Sequence, residues 1–200
     1  MPELKTILEA VLLAAGEPLA PDRLLKVFPE AERPDRETLR AALAELATDC
    51  AGRGVELVEV AGGFRLQVPK AFSPWVSRLW EERGASYSRA LLETLALIAY
   101  RQPITRGEIE AVRGVSLSGG IMKTLQERGW IKVVGHREVP GRPALYATTH
   151  AFLDYFNLKS LSELPPLAAL RDLDVVSAEL ERRTIALAGD SPTPTESSDG

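Results

Sequence analysis

From Leu4 to Ala15 the apolar residues Leu4, Ile7, Leu8, Val11 and Leu12 fall at helical spacing, and Gly16 follows as a stop. The pattern predicts an amphipathic helix. Pro21 stands where a first-turn proline is tolerated and opens a short helix with Leu24, Leu25 and Phe28 on its apolar side, closed by Pro29. A third stripe, Leu39, Leu43, Leu46 and Cys50, runs through Pro34–Cys50 before Arg53-Gly54 releases the chain. Two β-rich runs, residues 55–60 and 64–68, then flank Ala61-Gly62-Gly63, a hairpin signal.

The same order returns. Leu12-Leu13-Ala14-Ala15-Gly16-Glu17-Pro18-Leu19 aligns with Leu97-Ile98-Ala99-Tyr100-Arg101-Gln102-Pro103-Ile104 at an offset of 85, which also sets Leu24 and Val27 on Ile109 and Val112. Thr105-Arg106-Gly107-Glu108 reads as a capping box, hydroxyl and carboxylate satisfying free N–H groups at a helix start. A further helix is expected over Ser118–Arg128, ended by Arg128-Gly129 as Arg53-Gly54 ends its counterpart. Between those pairs the offset is 75, so ten extra residues are expected in the first copy, in the Pro29–Pro34 connection. Residues 130–134 and 144–147 supply a second hairpin. Two copies of an α-α-α-β-β unit result. Helix-turn-helix followed by a hairpin is the winged-helix plan. The expected fold is therefore α+β, mainly α, with two tandem winged-helix domains over residues 1–84 and 85–165.

Between the copies, Phe72, Trp75, Val76, Leu79 and Trp80 make an apolar stripe on an expected linking helix. Either these rings pack on their own domain or they face a second subunit or partner. Phe152, Leu153, Tyr155 and Phe156 read as a short aromatic helix closing the second core. Residues 166–200 form an acidic tail, and from Gly189 onward large apolar residues disappear, which predicts disorder.

The 200 residues, 45% apolar and 26% charged, suffice for two ordinary cores with a water-facing surface. No apolar run is long enough to span a bilayer, and Glu3 and Lys5 stand where a leader would have a basic region before an apolar stretch, so neither membrane insertion nor secretion is expected. The net charge of -4 hides an asymmetry: residues 1–84 carry 11 basic and 14 acidic side chains, residues 85–165 carry 10 and 7, and residues 166–200 carry 3 and 7. The middle third is mildly basic.

Catalytic patterns are missing from the sequence. Cys50 is the one cysteine and has no Cys or His at metal-ligand spacing, so neither a disulfide nor structural zinc is expected, and a reducing cytoplasm fits. His136 and His150 lie far from it. In Gly114–Gly120, Gly120 and Ile121 stand where a phosphate loop needs Lys and Ser or Thr. Glu81-Glu82 and Glu108/Glu110 read as solvated faces or caps. No cofactor is implied.

DNA binding is the rival reading. Base readout needs Arg, Lys, Asn or Gln at the front of a recognition helix. The second unit offers Ser116 through Met122 there, with Lys123 the one cation; the first interleaves Arg36 and Arg40 with Glu37, Glu45 and Asp49. Neither helix is suited to reading bases. The second wing, with Lys132, His136, Arg137 and Arg142 against Glu138, allows weak phosphate contact without specificity.

The stretches Leu91–Arg106 and Val139–Tyr146, with Thr148-Thr149, Phe152–Phe156 and Leu158–Pro165, resemble the bacterial segregation and condensation protein B family. The resemblance covers about residues 4–166. Asn157 departs from a glycine usual after the Tyr-Phe pair, and Ser118-Gly119-Gly120 from a more polar helix entry. The resemblance implies a non-enzymatic accessory subunit of the bacterial condensin: a cytoplasmic, nucleoid-associated homodimer of tandem winged helices. Its partner would be the kleisin, segregation and condensation protein A, which bridges the structural-maintenance-of-chromosomes ATPase. Chromosome condensation and segregation would be its role. A tandem winged-helix transcription regulator is the alternative.

Dimerisation is expected mainly through residues 1–84, with Trp75 and Trp80 as candidates. Kleisin binding is expected on the second unit, where Tyr100, Arg101, Pro103, Gly141, Arg142, Pro143 and Tyr146 combine Arg and Tyr with rigid or small neighbours. The competing reading is that Gly141-Arg142-Pro143 shapes the wing and Tyr146 fills the core. Lys123, Lys132, Arg137 and Arg142 are the candidates for weak DNA contact.

Overall fold

The computed structural model describes residues 3–80 and 87–165. Helices α1 (Leu4–Ala15), α2 (Pro21–Lys26) and α3 (Arg36–Asp49) lead into an antiparallel hairpin of β1 (Glu56–Val60) and β2 (Gly63–Gln67). Gly16 ends α1 at φ 62° and Pro21 opens α2, as the sequence predicts. Asp35 caps α3, its carboxylate accepting from Thr38 N–H at 2.7 Å. The stripes meet in one apolar cluster in which Leu8, Leu24, Leu39 and Leu46 are almost fully buried. Cys50 lies in it, and burial raises its thiol pKa.

The second copy runs α5 (Arg89–Arg101), β3 (Ile104–Thr105), α6 (Arg106–Arg113), α7 (Gly119–Glu127), β4 (Ile131–His136), β5 (Ala144–Thr148) and α8 (His150–Tyr155); α4 (Ser73–Val76) lies between the copies. Its core gathers Leu92, Leu95, Ile98, Ile109 and Leu125. Phe152 and Phe156 are buried with ring centroids 4.9 Å apart, and Phe156 meets Trp130 at 5.4 Å, so α8 and the residue after it close this core. The strands form an antiparallel sheet of order β3-β5-β4, with an irregularity between Val133 and Gly135. Both copies are winged helices, and the repeat reaches the backbone: Leu19 bridges Phe64 in the first wing, while its counterpart Ile104 pairs with Tyr146 in the second.

Two expectations are corrected. The linking helix is not continuous: a 3-10 turn at Lys70–Phe72, the single turn α4 and a second 3-10 turn at Ser77–Trp80 divide it. Its apolar residues are not buried on their own domain, since Trp75 and Leu79 are 65% and 76% exposed. Nor do the extra residues of the first copy sit in one connection. Residues 27–35 replace 114–118, but α3 also has 14 residues against nine in α7. The Trp80 side chain and the tail from residue 166 lie outside the described residues.

The copies touch. The tip of the β1–β2 hairpin meets the segment that leaves α8, through hydrogen bonds from Ala61 and Gly62.

Candidate partner-binding surface

Around the end of α5 the chain turns through a cis Gln102–Pro103 bond into β3. Gln102 stabilises the corner: its Oε1 accepts from Thr148 N–H at 2.7 Å, and its Nε2 donates to Ala99 O at 2.9 Å. Thr105 then caps α6 in the predicted capping box, its N–H donating to Glu108 Oε2 at 2.9 Å. Glu108 also pairs with Arg137 from the second wing at 2.9 Å. Its pKa is lowered, first by the Thr105 backbone N–H, then by the Thr105 hydroxyl and the Arg137 charge.

These elements enclose a groove of about 350 Å³ whose walls include Arg101, Pro103, Ile104, Val112 and Arg137. Glu108 lines it too and is paired with Arg137, so Arg101 beside the apolar Pro103, Ile104 and Val112 is what suits a peptide that presents aliphatic and acidic side chains together. The neighbouring connection is held by α6: Glu110 accepts from Leu117 N–H at 2.8 Å, and Arg106 donates to the Leu117 carbonyl.

The structure divides the seven predicted partner residues. Arg101 and Pro103 line the groove. Tyr100 is packed on the core, and its hydroxyl donates to Pro165 O at 2.8 Å. Tyr146 also packs on the core, as the competing reading has it. Gly141, Arg142 and Pro143 form the wing tip, where Gly141 has φ 85°, Arg142 has φ 36°, and Arg137 N–H donates to Pro143 O. Arg142 is paired with Glu138 at 2.9 Å on an exposed surface.

Of the four candidates for DNA contact, three already face carboxylates: Lys123 meets Glu127 at 3.6 Å, and Arg137 and Arg142 meet Glu108 and Glu138. Lys132 is exposed on β4. Sequence reasoning missed Val112 and Glu108 as parts of a surface. A signal for Val112 was present, since the repeat aligns it with Val27, and the two are 40% and 47% exposed.

On the first unit, Phe72 borders a second groove, of about 480 Å³, with Cys50, Arg53, Leu57 and Pro69. Phe72 and Trp75 have ring centroids 6.4 Å apart, and Leu79 follows, giving an exposed apolar face. Among the described residues no cluster of His, Cys, Asp or Glu is placed to hold a metal, and no helix is long and apolar enough to cross a membrane.

A family model described as segregation and condensation complex subunit ScpB matches residues 6–167. The chain belongs to this family. A segregation and condensation protein B homolog of Coxiella burnetii is 57% identical over 88% of this chain and 84% of its own length. The crystal structure of ScpB from Mycobacterium tuberculosis shares 37% identity, covering 76% of this chain and 92% of that one, with a TM-score of 0.36. A crystal structure of a dimer of the ScpB N-terminal domain complexed with ScpA peptide is 33% identical over 38% of this chain and 91% of its own, with a TM-score of 0.34. Asn157, where the family resemblance leads one to expect glycine, has φ 55°, a left-handed conformation that Asn tolerates better than most other side chains.

Proposed function

We propose that this chain is the accessory subunit of a bacterial condensin, a nucleoid-associated cytoplasmic homodimer that binds the kleisin and through it the structural-maintenance-of-chromosomes ATPase. It works as a binding scaffold without catalysis of its own. The observation that carries the reading is family membership over residues 6–167, with a relative 57% identical over most of both chains. The regulator alternative is weakened by the carboxylates that face three of the four candidate DNA cations.

Within this reading, residues 1–84 serve as the dimerisation domain and residues 85–165 as the kleisin-binding domain. The groove of Arg101, Pro103 and Val112 receives an aliphatic and acidic kleisin segment, and the wing tip at Arg142 adds to the contact. The exposed face of Phe72, Trp75 and Leu79 belongs to the contact with the second copy. Apolar burial suits that contact, since the first unit carries a net negative charge.

The test is calorimetric titration of the full chain with its kleisin, using Arg101→Glu and Val112→Asp against Trp75→Ala. The first two are expected to weaken kleisin binding at least tenfold and leave the dimer intact, while Trp75→Ala weakens the dimer. The N-terminal domain crystallised with a ScpA peptide makes the first unit the competing arm. Unchanged kleisin affinity in both groove variants would move the site there. Failure of the wild-type chain to co-purify with the kleisin would overturn the whole reading.

A further inference from the structure

The tip of a winged-helix hairpin is ordinarily a surface element whose turn amides face water or a phosphate. In the first unit they face protein. Gly62 N–H donates to Asp154 Oδ1 at 2.6 Å, and Ala61 N–H donates to Leu158 O at 3.0 Å. Two side-chain pairs flank them: Arg65 Nη2 donates to Asn157 Oδ1 at 2.6 Å, and Lys159 Nζ meets Glu59 Oε2 at 2.6 Å. We propose that the tip of the first wing is a docking element for residues 154–159 of the same chain, and that this clasp fixes how the two winged-helix units are held.

The acceptors are anchored from behind. Phe156 and Leu158 are 0% and 1% exposed in the second core, so the segment carrying Asp154, Asn157 and the Leu158 carbonyl is held by its apolar neighbours. Asn157, at φ 55°, turns the chain between them. One pair across the joint is of opposite charge, Glu59 of the hairpin with Lys159 of the opposing segment, while Arg65 and Asp154 engage neutral partners, the Asn157 amide oxygen and the Gly62 N–H.

Gly62 shows why the approach needs a bare backbone. Its φ lies outside the left-handed region, so the turn alone does not demand glycine there. A Cβ at this position would stand 2.6 and 3.0 Å from the Asp154 carboxylate oxygens and 3.1 Å from its Cγ. Asp154 has a short side chain, and swinging it away forfeits the hydrogen bond to Gly62 N–H. With both tip amides engaged, the first wing is committed to the clasp.

Two measurements on the full chain test this. In a Cys50→Ala background, Glu59→Cys with Lys159→Cys is treated with a short bismaleimide at low protein concentration. Mass spectrometry is expected to find the link within one chain. A link found only between two chains, or none, overturns the proposal.

The second measurement is hydrogen exchange at Ala61 and Gly62 in Gly62→Ala, Asp154→Ala and the double variant. Each single change is expected to lower protection by on the order of tenfold, the value of one charge-assisted hydrogen bond. The double variant should be no worse than Asp154→Ala, because the added methyl then meets no carboxylate. If Gly62→Ala costs the same with and without Asp154, the glycine serves the hairpin alone and the clasp is wrong.

Discussion

A Cβ on Gly63 would stand 2.2 Å from the carbonyl oxygen of Leu19. The backbones come this close because Leu19 and Phe64 exchange two hydrogen bonds, of 2.8 and 2.9 Å, that fasten the first wing to the loop between α1 and α2. Gly63 also has φ 124°, which other residues rarely adopt. Gly63→Ala is therefore expected to cost about 3 kcal/mol through backbone strain and loss of the bridge. Gly16→Ala is the control: it has φ 62° but open space around it, and should cost about 1 kcal/mol. Urea unfolding of the two variants checks this, and equal midpoints would show that the Leu19 contact yields without cost.

Glu93 and Arg113 give a second contrast. Arg113 donates to Glu93 at 3.1 Å and to the Thr94 hydroxyl at 3.3 Å, with side chains only 9% and 19% exposed for Arg113 and Glu93. Removing one partner strands the other charge in a poorly hydrated place. Glu93→Ala should cost about 3 kcal/mol, while Lys123→Ala, which removes an exposed partner of Glu127, should cost under about 0.5 kcal/mol. Thermal unfolding distinguishes them, and a Glu93→Ala midpoint close to that of Lys123→Ala would mean water reaches the pair.

The helices, both hairpins and the capping box at Thr105 and Glu108 were legible because each is written in local spacing or in a few adjacent residues. β3 was not, since Ile104-Thr105 is two residues long and runs directly into the α6 cap; its identity as a strand comes from Tyr146 and Leu145, about forty positions away. The linker was misjudged for a related reason. Helical spacing of Phe72, Trp75, Val76 and Leu79 is necessary for a buried stripe, but Trp75 and Leu79 are 65% and 76% exposed, so little burial of this face holds a continuous helix together. The candidate surface was legible at Arg101 and Pro103. Tyr100 and Tyr146 were ambiguous because tyrosine serves a core and an interface with the same ring, and Pro165, which takes the Tyr100 hydroxyl, is 65 residues away.

Acid should loosen the second unit first at α6. Glu108 is held below the ordinary value of 4.5 by Thr105 and Arg137, and Glu110 likewise, first by the Leu117 N–H and then by Arg106. With a folded-state pKa below the unfolded one, the unfolded chain binds more protons in between. The contribution of each carboxylate is thus fully present above the unfolded value and is lost as pH falls through the folded value. Glu108→Gln is expected to be less stable than wild type near pH 7 and to converge on it as pH drops below about 4. Urea midpoints across that range read this directly, and parallel curves would refute it.

Any affinity for duplex DNA should be weak, indifferent to sequence and strongly salt-dependent. The candidate cations are Lys123, Lys132, Arg137 and Arg142, and three of them must leave a carboxylate before meeting a phosphate. Four phosphates neutralised would set a log–log salt slope of about -3.6, a loss of over about a hundredfold between roughly 50 and 200 mM salt. The existing ion pairs lower the affinity at every salt concentration, and they make the slope no steeper. Lys132→Glu, which removes the cation exposed on β4, should shift the slope toward zero by about 1 without changing relative affinity among duplexes. Fluorescence anisotropy with two unrelated duplexes at both salt concentrations makes the comparison. Nanomolar binding to one of them, resistant to scrambled competitor at about 150 mM salt, would mean that the second unit reads sequence after all and would favour the regulator.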